Sequence, residues 1–308
     1  MDSIKIKPFF CMIKVMLREN VTVNNVNFMK PVLLILMLWL TSQTVSAARF
    51  DHAIWDTLLR QHVYMVNQGR ASVVDYYDFA VNRGHLSKYL SQLSRVKESD
   101  FSNWDKSEQL AFLINAYNAF TVDMMLRTQS TIPSVRYYKP RNLHKKLQLI
   151  ARIKNQREIN SIPLFGEFLS LNKLEDDFIR RPGNFDEPRI HFALNRASID
   201  CPALLNRAYN GIELEQQLES ATRAFLSDRS RNRFDEQTGK LEVSELFDWY
   251  AKDFEHNWQG WSSLSQFFIQ YRDSLADTVN AQELLATDSF YIQFLEFNWI
   301  QNEKLRTP

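Results

Sequence analysis

Cys201 and His191 stand ten positions apart in the stretch PRIHFALNRASIDCPAL. A thiol beside an imidazole is the pair that nucleophilic acyl transfer requires: the thiolate attacks, and the ring takes up and returns the proton. Cys201-Pro202 reads as a helix start, because proline favours the first helical position, with the cysteine as cap. The positive end of such a helix would favour thiolate. A second pair is Asn115 and Asn118 in FLINAYNAF, three apart and therefore on one face of a helix. An unpaired buried carboxamide costs about 1–3 kcal/mol, so each must find a partner. Aimed into a cleft, they would orient the imidazole or hold an oxyanion; aimed at loops, they would tie backbone and fix register. Glu175 is the acid best placed to support the ring, although with Asp176 and Asp177 beside it the run also fits a solvated helix face. The six histidines are scattered and form no HExxH, so no metal set and no cofactor is read from them.

These residues need elements to position them. The strongest periodicity lies over Asp105–Arg127, where Leu110, Leu113, Ile114, Tyr117, Phe120 and Met124 recur at helical spacing, with Asp105 or Ser107 as cap. Helices are also predicted over 50–67, over 76–93 with a break near Gly84, and over 169–181, 213–226, 244–254 and 261–271. Alternation over Pro188–Ala197 predicts a strand carrying His191, and Lys240–Val243 a short strand. Leu143–Ile153 fits helix or strand, and Phe290–Trp299 fits an extended or helical tail. The basic run Arg141, Lys145, Lys146, Arg152, Lys154 and Arg157 would hold an anion or face water. The balance is α+β: mostly helical, with a small sheet, in a single compact domain.

The chain has 308 residues, 45% of them apolar and 13% aromatic, enough to bury a proper core and to exclude wholesale disorder. Residues 32–40, VLLILMLWL, follow Lys30 and precede Val45-Ser46-Ala47. That is the pattern of a secretory signal, too short for a bilayer span, which needs roughly 20 residues. Residues 29–47 are thus expected to be a signal peptide starting at Met29, residues 1–28 a mis-called upstream extension, and residues 48–308 one domain. The product would be periplasmic or extracellular, with no stable membrane anchor after cleavage. Residues 48–308 carry 32 basic and 34 acidic groups, a formal charge of −2, so no long-range field gathers nucleic acid. Seven glycines, with no GxGxxG or GxxxxGK, argue against a phosphate cradle. Cys11 leaves with the leader, so Cys201 has no partner in the exported chain.

QLAFLINAYNAF (109–120), LNKLEDDFIRR (171–181), PRIHFALNRASIDCPAL (188–204), LFDWYAKDF (246–254) and FNWIQN (297–302) occur in an order that resembles the domain of unknown function family 547 over about residues 74–302. The resemblance implies a widespread domain, often secreted in bacteria, and no activity that carries over. It places Asn115, Tyr117, Asn118, Glu175, His191, Cys201, Pro202, Trp249, Tyr250 and Trp299 at motif positions. Asp176 stands where the family usually has His, and Asn298 where it has Asp. Two readings follow. One is an exported thiol-dependent hydrolase or acyltransferase using Cys201, His191 and Asn115 or Asn118, with Glu175 behind the ring. The other is a non-catalytic domain that binds a small molecule, peptide or glycan, in which the same residues form a structural polar network and Trp258 and Trp261 face the partner.

Overall fold

A computed structural model describes residues 49–131, 151 and 155–304. The leader assigned to residues 1–47 lies outside the described residues, as do Leu143–Leu149 and the basic run except Arg157. Helix α1 (Ala53–His62) buries Trp55, Leu58 and Leu59 and passes directly into β1 (Val63–Val66), which pairs antiparallel with β2 (Ala71–Val74). The helix expected over 50–67 is therefore shorter: the β-branched Val63 and Val66 end it as a strand. Short helices α2 (Tyr76–Val81) and α3 (Arg83–Ser94) follow, broken at Asn82 rather than Gly84, and then α4 (Glu98–Ser102).

Helix α5 (Lys106–Thr131) is the axis of the domain. Its residues from Glu108 to Val122 are all buried, so it packs on every side. Beyond it, β3 (Ile162–Leu164) and β4 (Glu167–Leu169) form a hairpin. The helix expected over 169–181 starts only after Ser170, whose hydroxyl caps it by accepting from Lys173 N. After one α turn (α6, Leu171–Lys173) the chain widens into a π turn over Leu174–Ile179, with Arg180 N donating to Glu175 O.

The strand expected over Pro188–Ala197 does not form. Pro188–Phe192 is a 3-10 helix, followed by irregular chain. Alternation marks a strand only when one face meets water, and every residue from Glu187 to Ser198 is buried. Nor does a helix follow Cys201-Pro202; the chain there runs without regular structure to α7 (Leu214–Leu226).

The last part holds a three-stranded sheet. β5 (Arg233–Asp235) pairs antiparallel with β6 (Lys240–Ser244), which pairs in parallel with β7 (Tyr291–Leu295). Between them lie α8 (Leu246–Trp249), a 3-10 turn over Ala251–Phe254, α9 (Leu264–Gln270), α10 (Arg272–Leu275) and α11 (Val279–Ala286). With small sheets among many helices the fold is α+β, and residues Ala48–Pro308 form one compact unit. Its core has two clusters. The first gathers around α5 and the second around Phe225, Phe247, Phe254 and Phe267; α7 and the 190–194 segment contribute to both.

Candidate functional site

Asn115 and Asn118 face the interior, and both bind loop backbone in two-point fashion. Asn115 Nδ2 donates to Tyr209 O at 2.8 Å and its Oδ1 accepts from Tyr209 N at 3.0 Å. Asn118 Nδ2 donates to Ala193 O at 2.9 Å and its Oδ1 accepts from Asn195 N at 2.9 Å. Each carboxamide thus completes one residue's worth of backbone that has no ladder to join. The loop seated by Asn115 comes close to α5: a Cβ on Gly211 would lie 2.9 Å from the Glu108 backbone nitrogen, so only glycine fits there. Neither asparagine hydrogen-bonds to His191 or Cys201.

His191 is fully buried, and its Nε2 lies 2.8 Å from Asp253 Oδ2. Its ring stacks on Tyr250 with centroids 4.0 Å apart. Burial lowers its pKa, and outweighs the opposing effect of Asp253, so the neutral ring is favoured. Asp253 also receives a two-point contact from Arg180, at 2.9 and 3.0 Å, while Arg180 Nη1 reaches Asp176 at 2.7 Å. The acid partner of the imidazole is Asp253, not Glu175.

Cys201 is buried at 2% exposure. Its sulfur accepts from Arg196 N at 3.2 Å and lies 3.0 Å from Ser198 Oγ. Its carbonyl oxygen accepts from the buried Arg231 at 2.6 Å. No hydrogen bond joins it to His191, whose Nδ1 has no partner. With no helix after Pro202, the dipole argument for a thiolate loses its source.

Glu175 instead centres an ionic cluster. Arg196 Nη2 donates to its Oε1, Arg157 Nη2 to its Oε2 at 2.9 Å, and the Tyr117 hydroxyl to Oε2 at 3.1 Å. Burial would push this carboxyl up, but Arg196 and then Arg157 outweigh it and hold it well below the ordinary carboxylate range. Arg157 is fully engaged, giving its other donors to Tyr117 Oη at 2.7 Å and Asn172 Oδ1 at 3.2 Å. Arg196 is not: Nη2 also reaches Tyr250 Oη at 3.0 Å, while its Nε is buried without a partner. Arg196 and Arg180 both sit over the Tyr250 ring, at 5.0 and 4.7 Å from its centroid. The π turn makes this possible, for it buries Glu175 while leaving Asp176 and Asp177 toward water.

A cleft of about 320 Å³ opens on this cluster, lined by Arg157, Glu158, Asn172, Arg196, Trp249, Tyr250 and Trp299. Trp249 and Trp299 stack with centroids 5.4 Å apart, each against Phe297. Of the two tryptophans expected to face a partner, Trp261 is buried against Phe267 and donates to Gln270 Oε1 at 2.6 Å, while Trp258 is half-buried with its ring 5.0 Å from that of His256. Among the described residues, no three His, Cys, Asp or Glu side chains gather as a metal set.

Residues 101–226 match the family model described as protein of unknown function, DUF547. That stretch is therefore similar to the DUF547 family. No curated protein and no solved structure matches the chain. The DUF547 match contains Asn115, Asn118, Arg157, Glu175, His191, Arg196 and Cys201, and ends before Trp249, Tyr250, Asp253 and Trp299, which pack against it. Of the five site residues expected from sequence, Glu175 lies beneath the cleft, and the two asparagines, His191 and Cys201 hold separate stretches of chain. Arg196 and Asp253 were not anticipated. Arg196 carried a readable signal: a cation inside the apolar run IHFALNRA must find a buried acid.

Proposed function

We propose that this DUF547-like domain is an exported, non-catalytic ligand-binding domain whose ligand occupies the cleft between Arg196, Tyr250, Trp249 and Trp299. The observation that supports this reading is the division of the polar residues. Those a thiol mechanism would need are buried and hydrogen-bonded to other groups: Cys201 to Arg196 N and Ser198, His191 to Asp253, and the asparagines to backbone. The side chains that reach an open cleft are recognition groups, two guanidiniums and three aromatic rings, with Asn172 and Glu158 beside them. A cleft of this volume suits a small molecule or the end of a larger one, and its aromatic walls suit the flat face of a ring.

Iodoacetamide labelling of Cys201 in the native protein at neutral pH tests the reading. Labelling is expected to be slow until denaturant is added, and equally slow in His191→Ala. Rapid native labelling that depends on His191 would overturn the non-catalytic assignment.

A further inference from the structure

We infer that this cleft recognises a carboxylate carried on a ring, with the carboxylate meeting Arg196 and the ring face lying against the aromatic wall; the inference rests on the ligand-binding reading above. The first argument is charge. Two buried guanidiniums, Arg157 and Arg196, share one buried carboxylate, Glu175. A buried cation in excess is costly unless an anion reaches it. The second is valence. Arg157 directs all three nitrogens to protein acceptors, whereas the Arg196 contacts both come from Nη2. The planar fork therefore retains an edge, and a fork edge matches a carboxylate. The third is shape. The Arg196 guanidinium lies over the Tyr250 ring, and Trp249 and Trp299 stack on each other in the cleft wall. Glu158 also lines the cleft, but it is exposed and screened by water, so it weakens the field without cancelling it.

Aromatic acids and uronic acids share this chemistry, and the test separates them. Purified protein is titrated with benzoate, benzamide, D-glucuronate and D-glucose, with binding read from tryptophan fluorescence and calorimetry. At least one acid is expected to bind about 10-fold more tightly than its neutral counterpart, the difference a charged hydrogen bond makes. Preference for benzoate assigns an aromatic source, and preference for glucuronate a sugar. Glu158→Gln, at an exposed position that leaves the fold intact, is expected to strengthen acid binding about twofold without changing the neutral probes. Equal binding of acid and neutral partner would overturn the carboxylate assignment and leave the ligand-binding reading standing. Binding of none of the four, or a Glu158→Gln variant with an unchanged acid-to-neutral ratio, would also overturn it. Rapid thiol labelling is a separate readout that bears only on the earlier reading.

Discussion

Single side chains here do the work of missing secondary structure. Asn118 satisfies Ala193 O and Asn195 N, neither of which has a strand partner. Asn118→Ala leaves both groups buried and unpaired and is expected to cost on the order of 3 kcal/mol in urea unfolding; a loss below 1 kcal/mol would show that water replaces the carboxamide. The buried histidines set the acid limit of the fold. His52, whose Nδ1 lies 2.7 Å from Tyr89 Oη, is lowered by burial to about 4, and burial lowers His62 and His191 as well. The unfolded chain takes up these protons near pH 6.5 and the folded chain only at lower pH, so the stabilisation is complete above pH 6.5 and is lost as pH falls toward 4. Unfolding at pH 7 and pH 5 is expected to differ by on the order of 2 kcal/mol from His52 alone, and His52→Gln should flatten that slope.

Elements were legible where their periodicity was strong and sustained, over several turns or as a clear alternation. The helix over 105–127, the helix α7 and the strand β6 stand close to where the spacing of apolar residues put them. The largest error falls on a short, completely buried stretch with no helical periodicity to correct it. From Glu187 to Ser198 water touches no face, so an alternating pattern there reported nothing about the backbone, and the same stretch holds His191, Arg196 and the approach to Cys201. The contacts of the expected site residues were hidden for a related reason: residue types that can react are also those that can tie loops, and sequence spacing does not say which backbone groups lack partners. The π turn was equally hidden, since Glu175, Asp176 and Asp177 look alike until the widened turn buries only the first. The hydroxyl of Ser170 is what begins the helix ahead of that turn. Ser170→Ala is expected to lower stability by about 1 kcal/mol, measured by thermal melting. Because the cap is upstream of Glu175, the variant should also raise amide exchange across 171–179.

At the scale of the whole molecule, two aromatic-rich cores are joined through chain that belongs to both. Phe192 packs against Phe225, Phe247 and Phe267, while Ile190 and Leu194 pack in the cluster around α5. Neither core can open without dragging these residues, so unfolding is expected to be cooperative: near- and far-ultraviolet circular dichroism should change at one temperature. Two separated transitions would show that the cores are independent. Residues 300–304 add a second tie. Val74 N donates to Asn302 O at 2.8 Å, Ile199 N to Ile300 O at 2.7 Å, and the Tyr76 hydroxyl to Asn302 Oδ1 at 2.9 Å across 226 positions. Closing so long a loop adds little further entropy, because that cost grows only with the logarithm of length. It does fix an order of events. Synthesis delivers Tyr76 226 residues before its mate Asn302, so a growing polypeptide holds this edge open while all the chain between is made, and the tie closes only once that chain is in place.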